Sequence, residues 1–573
     1  MQNFPTPPPS GSRLGSDPDL RVLHPLTIGL IIATIGGILF ACFCAPGTLG
    51  ILGSDDSFYY YLTARNFVLG NGVSFDGINP TNGFHPLWML ALIPLYAVTG
   101  GDHDLSLRLV YILLLLLFSG SIALTFRLLQ AGTGKVPALL TLLVFINPVV
   151  FNLFFNGLES ALLIFLLLLL LNVAQRRDLV SPGMGFGNQA LAGLLFGLLF
   201  LSRLDCAFHL MALGLVALVV YRLPLWNPKE LPSLIRSYGL LLLVFALVVA
   251  PYFAWNLTAN GHLSPLSGAL KSSFPHPEPR FRTLIAASRA PYSAFVIISL
   301  ILAGIWILQP NSKLRRLFAT RGADQPWNVL LLSLWLGCLL HYGYTLFFTT
   351  WGTHQWHFAS YVPLILLSGG WLLSGLESRA RWLAVSLSVL VLLVSCAMLV
   401  FSLALKTKQH RNWHVAAEWA RNNTAPDSIF GMTDAGYFSY FSRRNTVNLD
   451  GLINGYEYQE ALLGPALETY FKKCGIDYIC DYEVPASRTG SHAIRLNRIP
   501  YAEKQNGKRG YDFAFPVEKA VYASAPFAPY SLRPARSAKD QIVFYIWPYE
   551  AGLLTPALQS FDPWQSDAVS RAE

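Results

Sequence analysis

The sequence predicts a mainly α, polytopic membrane protein of about eleven transmembrane helices, followed by a water-soluble α/β domain at its C-terminal end. Three observations carry this expectation. Hydrophobic residues make up 53% of the 573 and charged residues only 13%, whereas a soluble domain carries about 25% charged residues. Apolar runs near the roughly 20 residues needed to cross a bilayer recur along the chain, among them residues 105–124, 161–171 with their flanks, 238–251, 327–347 and 382–403. The basic residues gather in alternate connections, as Lys and Arg do on the cytoplasmic side of a membrane. The formal net charge of +9 is therefore assigned to those loops. No long basic and aromatic tract points to nucleic acid.

Taken in order, residues 1–23 are polar and rich in Pro, Gly and Ser, and read as a disordered cytoplasmic tail without a removable signal peptide. Residues 24–405 form the transmembrane module, with a first span over 24–44 and a first external loop over 45–103. Within that loop, residues 86–98 are thirteen apolar residues interrupted by Pro94, too short a run to cross, and read as a surface or re-entrant helix. Once that helix does not cross, the basic turns fall on one side: Arg127 and Lys135; Arg176 and Arg177; Arg222, Lys229 and Arg236; Lys313, Arg315, Arg316 and Arg321; Arg379 and Arg381. Residues 187–221 divide into two short spans at 202–205, because one span would put Arg177 and Arg222 on opposite sides.

From residue 406 onward the long apolar runs stop, so 406–573 is read as a soluble extracytoplasmic α/β domain. Its expected elements are helices over 413–422 and 462–474 and short strands over 428–432, 446–449 and 478–481. Cys42, Cys44, Cys206, Cys338 and Cys396 lie in apolar runs and read as core. Cys474 and Cys480 lie in the soluble end as candidates for a disulfide.

This topology collects the unusual polar residues on the outer face. Asp55 and Asp56 follow the first span; as a pair they suit a general base or a divalent-metal ligand, or simply the cap of the helix that follows. Glu159 precedes an apolar run, where a lone charge is costly and points to function. Arg203 and Asp205 are spaced to pair with each other or to meet an anionic head group, and Lys271 suits phosphate as a point charge. His85, His262, His354 and His357 show no metal-site spacing. Neither a phosphate-binding Gly-x-x-x-x-Gly-Lys loop nor a Gly-x-Ser-x-Gly elbow is present, which argues against ATP-driven transport and esterase chemistry.

Several of these residues form an ordered series: Asp55-Asp56-Ser57-Phe58-Tyr59-Tyr60, Ala64-Arg65-Asn66, Gly70-Asn71-Gly72 and Thr81-Asn82-Gly83-Phe84-His85-Pro86-Leu87-Trp88. The series resembles the first external loop of multi-spanning GT-C class glycosyltransferases that use polyprenyl-phosphate sugars, and looks most like bacterial relatives of the arabinofuranosyl- and mannosyltransferases. Asn156-Gly157-Leu158-Glu159-Ser160 is similar to a second element of that group. Asp434-Ala435-Gly436-Tyr437 with Val447-Asn448-Leu449-Asp450-Gly451-Leu452 is similar to its signature after the last helix.

The resemblance implies a GT-C-like fold, with Asp55 or Asp56 as general base on an acceptor hydroxyl. Lys271, Arg203 or His262 would meet the charge of the leaving lipid phosphate. Asn82, His85, Glu159, Arg203, Asp205, His262, Lys271, His354 and His357 form the candidate substrate-binding set. Implied partners are membrane lipids, a polyprenyl-phosphate sugar donor and a glycan, lipid or protein acceptor. Some members use a divalent metal (Mg or Mn) and others do not; if one is used, Asp55 and Asp56 are the expected ligands. The competing classes are a transporter or lipid flippase, disfavoured because no repeated halves are apparent, and a polysaccharide polymerase or ligase. The soluble domain either caps the outer face or helps to bind acceptor.

Overall fold

The structure, a computed structural model, describes residues 20–224, 227–277, 297, 300–301, 304–305, 325–349, 351, 353–374, 378–463, 466–485, 491–497, 509–526, 542–550 and 554–558. The N-terminal tail thus lies outside the described residues up to residue 19. The first helix, α1 (Leu20–Phe43), starts slightly before the expected 24. The basic turn containing Lys313, Arg315, Arg316 and Arg321 also lies outside them.

Among the described residues, five helices are long and apolar enough to cross a bilayer, or six if a pair bent by 67° at Ala138–Ile146 and Pro148–Phe155 is one span. Five shorter apolar helices accompany them, Pro86–Val98 among them, so the long apolar helices of the described residues do not by themselves make up the expected eleven. Pro148 explains the bend: it supplies no N–H to the preceding turn, and Asn147 caps the new helix by accepting from the Val149 N–H at 2.9 Å.

The segment 45–103 is mostly helical. It contains α2 (Pro46–Leu52), α3 (Asp55–Val68) and α4 (Pro86–Val98). The last has the bounds expected from the sequence, and at about 1.5 Å per residue it falls short of a 30 Å hydrocarbon core. It buries Trp88, Leu92 and Tyr96 completely while Leu90 and Val98 stay exposed, as a helix lying against the body does. Helices α5 (His103–Thr133), α6 (Lys135–Leu142), α7 (Pro148–Phe155) and α8 (Ser160–Ala174) follow. The expected division of 187–221 is present. Helix α9 (Phe186–Ser202) stops where Arg203 turns extended, and α10 (Ala207–Tyr221) resumes after one 3-10 turn. Next come α11 (Leu231–Asn260) and the short α12 (Leu266–Lys271), then α13 (Gln325–Phe348) and α14 (Val362–Ser374).

The last apolar helix, α15 (Ser378–Asn423), is 46 residues long and runs unbroken into the soluble domain. The boundary expected at 405/406 therefore falls inside a helix, because the rise in charge there marks the end of the apolar surface and not the end of the backbone element. In the domain, β1 (Ile429–Met432) lies parallel to β2 (Asn445–Asn448) and to β3 (Tyr478–Pro485). The antiparallel strands Tyr522–Ala523 and Ile542–Pro548 complete a five-stranded sheet, and a separate three-stranded sheet stands beside it. The helix expected over 462–474 is two helices, Tyr456–Leu463 and Leu467–Cys474, with Gly464 and Pro465 between them in sequence. Cys474 and Cys480 are both free and buried. Cys474 faces Asn79, 3.6 Å from its amide nitrogen, while Cys480 sits in β3 above the Gly431 carbonyl, so no disulfide joins them.

The soluble domain is not a separate globule. Helix α16 (Gly436–Ser442) buries all seven of its residues between α3 and α15. The Phe58 ring of α3 meets Tyr437, Tyr440 and Phe441 at 5.3, 5.1 and 5.7 Å, distances at which aromatic rings attract beyond simple burial. One apolar core runs from the membrane helices through Phe430, Phe438, Phe544 and Ile546.

Candidate functional site

A cavity of about 410 Å³ lies between the segment 45–103, the breaks in the helices and the C-terminal domain. It starts from α3. Ser54 holds the helix entrance by donating its N–H to the Asn156 carbonyl at 2.9 Å, and Asp55 and Asp56 are the first two helical residues. Successive helical residues point about 100° apart, so the two carboxylates face different surroundings.

Asp55 turns away from the cavity. Its two oxygens accept the backbone N–H groups of Gly436 and Tyr437 at 3.0 and 2.7 Å, closing the start of α16 from another element. Gly436 is required for this approach, because a Cβ there would overlap the Asp55 carbonyl. Burial pushes the Asp55 carboxyl well above the usual range, as does the neighbouring Asp434, against the pull of the two N–H groups. Asp56 lines the cavity and makes no hydrogen bond or salt bridge with any described residue. Burial raises its pKa; Lys271, which lines the same cavity, lowers it and Glu159 raises it. Lys271, the last residue of α12, also makes no salt bridge among the described residues.

The other side of the cavity is a chain of paired charges. Arg203, 4% exposed, places one guanidinium nitrogen 2.5 Å from Glu159 and another 2.7 Å from Asp205. His341 approaches the same Asp205 oxygen at 3.5 Å and is backed by the Tyr361 hydroxyl at 3.1 Å. Glu159 also accepts from the Tyr60 hydroxyl at 2.9 Å, and His85 Nε2 lies 3.8 Å from it. The Leu204 N–H donates to His85 Nδ1 at 3.3 Å, so the proton of the neutral imidazole sits on Nε2 and faces Glu159. Burial holds His85 below its ordinary pKa, in keeping with that neutral form.

The soluble domain supplies part of the wall. Asp450 accepts from Tyr59, Asn448, the Asp434 N–H and the Leu452 N–H at 3.2, 3.0, 3.1 and 2.8 Å. That network shapes the turn at Gly451, whose φ is +83°, and delivers Leu452 and Ile453 to the cavity. Gly83 passes so close that a Cβ would overlap the Leu452 carbonyl.

Of the candidates, the cavity thus brings together Asp56, His85, Glu159, Arg203, Asp205, Lys271 and His357. Asp55 and Asn82 lie behind its walls. His262 stacks on Tyr456 at 3.9 Å and His354 on Trp356 at 4.4 Å, and neither lines it. Sequence reading missed Tyr59, Tyr60, His341, Tyr344 and Trp356, all of which do line it. The two tyrosines stood inside the quoted first-loop series, and Trp356 stood between His354 and His357. His341 and Tyr344 interrupt an apolar run, which was their available signal. Among the described residues no three His, Cys, Asp or Glu side chains converge as metal ligands, and both Asp55 oxygens are occupied. The donor set does not fit a divalent ion held by the protein alone.

Residues 403–540 match a family model described as a domain of unknown function, DUF8728. No curated protein matches the sequence. Among solved structures, ArnT from Cupriavidus metallidurans bound to undecaprenyl phosphate superposes with a TM-score of 0.54 at 12% identity, over 92% of this chain and 99% of that one. The same protein in its apo state gives a TM-score of 0.51, also at 12% identity, over 91% and 98%. The Archaeoglobus fulgidus oligosaccharyltransferase in complex with Zn and sulfate gives 0.41 at 14% identity, over 75% of this chain and 64% of that one. The likeness to ArnT establishes the fold: a GT-C-like, multi-pass membrane architecture over nearly the whole chain.

Proposed function

We propose that this chain is a glycosyltransferase that moves a sugar from a polyprenyl-phosphate donor to an acceptor hydroxyl at the outer face of the membrane. The observation that carries the reading is the cavity pair, Asp56 and Lys271: two opposite charges lining one space, neither paired with another charge among the described residues. Unpaired charges at a membrane surface are costly and mark function. The ArnT fold, in a structure bound to undecaprenyl phosphate, supports a lipid phosphate as the donor's carrier.

In this reading the acceptor hydroxyl gives its proton to Asp56 as its oxygen bonds to the anomeric carbon. The bond from that carbon to the donor phosphate breaks, and the electron pair leaves with the phosphate oxygen. Lys271 meets the added negative charge. Arg203 spends its Nε N–H and one N–H of each terminal nitrogen on Asp205 and Glu159, so its part is to shape the wall. His357, Trp356, Leu452 and Ile453 line the same cavity.

The test is incubation of the purified protein with a panel of polyprenyl-phosphate sugars, alongside Asp56→Asn. At least one donor should turn over and the variant should lose that turnover while retaining the donor; an Asp56→Asn protein at full rate ends the assignment. Reporter fusions after Ala131 and Arg177 check the orientation, and an external signal from either would overturn it.

A further inference from the structure

The segment that carries Lys271 has no long helix of its own to fix it. Helix α12 is six residues long, and it is fastened at both ends by residues distant in sequence. At its start the Leu266 N–H donates to Asn82 Oδ1 at 3.0 Å, and Asn82 Nδ2 reaches Asn256 Oδ1 at 3.1 Å and the Ser264 carbonyl at 3.4 Å. The Tyr456 hydroxyl of the soluble domain donates to the same Ser264 carbonyl at 2.9 Å. Beyond Lys271, the Ser273 N–H donates to the Phe348 carbonyl at 2.7 Å. Leu266 and Leu270 bury themselves against Leu452.

Asn82 is 1% exposed and does not line the cavity. A buried amide that spends its oxygen on the first turn of α12 and its nitrogen on α11 ties three segments at one point. From this geometry we infer that Asn82 is a positioning residue for Lys271: it fixes the α12 backbone so that Lys271 lines the cavity that also holds Asp56. The inference rests on the reading of Lys271 as the phosphate-facing cation, and it assigns Asn82 an indirect part where the sequence suggested direct contact with substrate.

The experiment uses the full chain in nanodiscs, with undecaprenyl phosphate as the probe. Lys271→Ala should weaken binding on the order of tenfold to a hundredfold, the scale of one charge-assisted hydrogen bond. Asn82→Ala should weaken it by about tenfold and should add nothing in the Lys271→Ala background, because residues acting through one group are non-additive. Tyr456→Phe, a milder cut at the same carbonyl, should give a smaller loss that also vanishes in that background. Hydrogen exchange supplies a readout that a general structural role would not move in this way. Asn82→Ala should deprotect the peptide covering residues 262–272 and leave α5 and α8 as protected as before. Full binding by Asn82→Ala, or losses that add to Lys271→Ala, would overturn the inference while leaving the Lys271 reading intact. Full binding by Lys271→Ala would overturn both.

Discussion

The two sides of the cavity solve the same problem in opposite ways. On one side Glu159, Arg203 and His341 are buried, Asp205 is partly buried, and every charge has a partner within 3.5 Å. On the other, Asp56 and Lys271 line the same space, and among the described residues neither side chain has an ion-pair partner. Paired buried ions hold a geometry, because removing one partner strands the other in a low dielectric. Unpaired ions keep their hydrogen-bonding capacity for a ligand. The contrast separates residues that build the site from those that react in it.

The largest expected effect breaks the unpaired side. Asp56→Asn keeps the shape and removes the base, and should lower kcat by about 10² to 10⁴ with donor KM little changed. Lys271→Met should follow, at about 10² to 10³ in kcat, the scale of losing one preorganised charge at a developing anion. Single-turnover kinetics with a saturating donor checks both. Equal losses from Asp56→Asn and Asp55→Asn would erase the distinction between the two carboxylates. Asp55→Asn should instead act on stability, costing about 1–3 kcal/mol through its lost N–H acceptor, read as easier proteolytic release of the soluble domain.

Breaking the paired side should unfold before it inactivates. Arg203→Met strands Glu159 and Asp205, a loss of about 3–5 kcal/mol. A thermal melt in detergent should show it as a large drop in Tm. An Arg203→Met protein as stable as the parent would mean that these ions do not hold the wall.

Much of this division was hidden in the sequence. The membrane class, the bounds of α4 and the break at Arg203 were legible because local hydrophobic periodicity and basic loops carry them. The Arg203–Asp205 pair was legible as one of two readings, being two residues apart. The different duties of Asp55 and Asp56 were not, because the N–H groups that claim Asp55 come from Gly436 and Tyr437, 381 and 382 positions away. His341 and Tyr344 reach the cavity only because α13 packs beside α10, and nothing local announces that packing. The soluble domain looked separable because charge rises at 406, yet α15 carries straight through and α16 is buried in the shared core.

The smallest effect is the one that tests the facing pair most directly. Asp56 acts as base only when ionised, so activity should fall as pH drops through its pKa. Burial sets that pKa above the usual carboxylate range. Lys271 favours the charged form and holds the value down, while Glu159 pushes it up. Removing the ammonium therefore moves the acid limb of kcat/KM to higher pH. Lys271→Met should show this upward shift in its residual activity, whereas Lys271→Arg, which keeps the charge, should stay near the parent. A pH profile lowered in height but unmoved along its axis in Lys271→Met would mean that the two groups do not sense each other. The cavity would then hold two independent charges and not a facing pair.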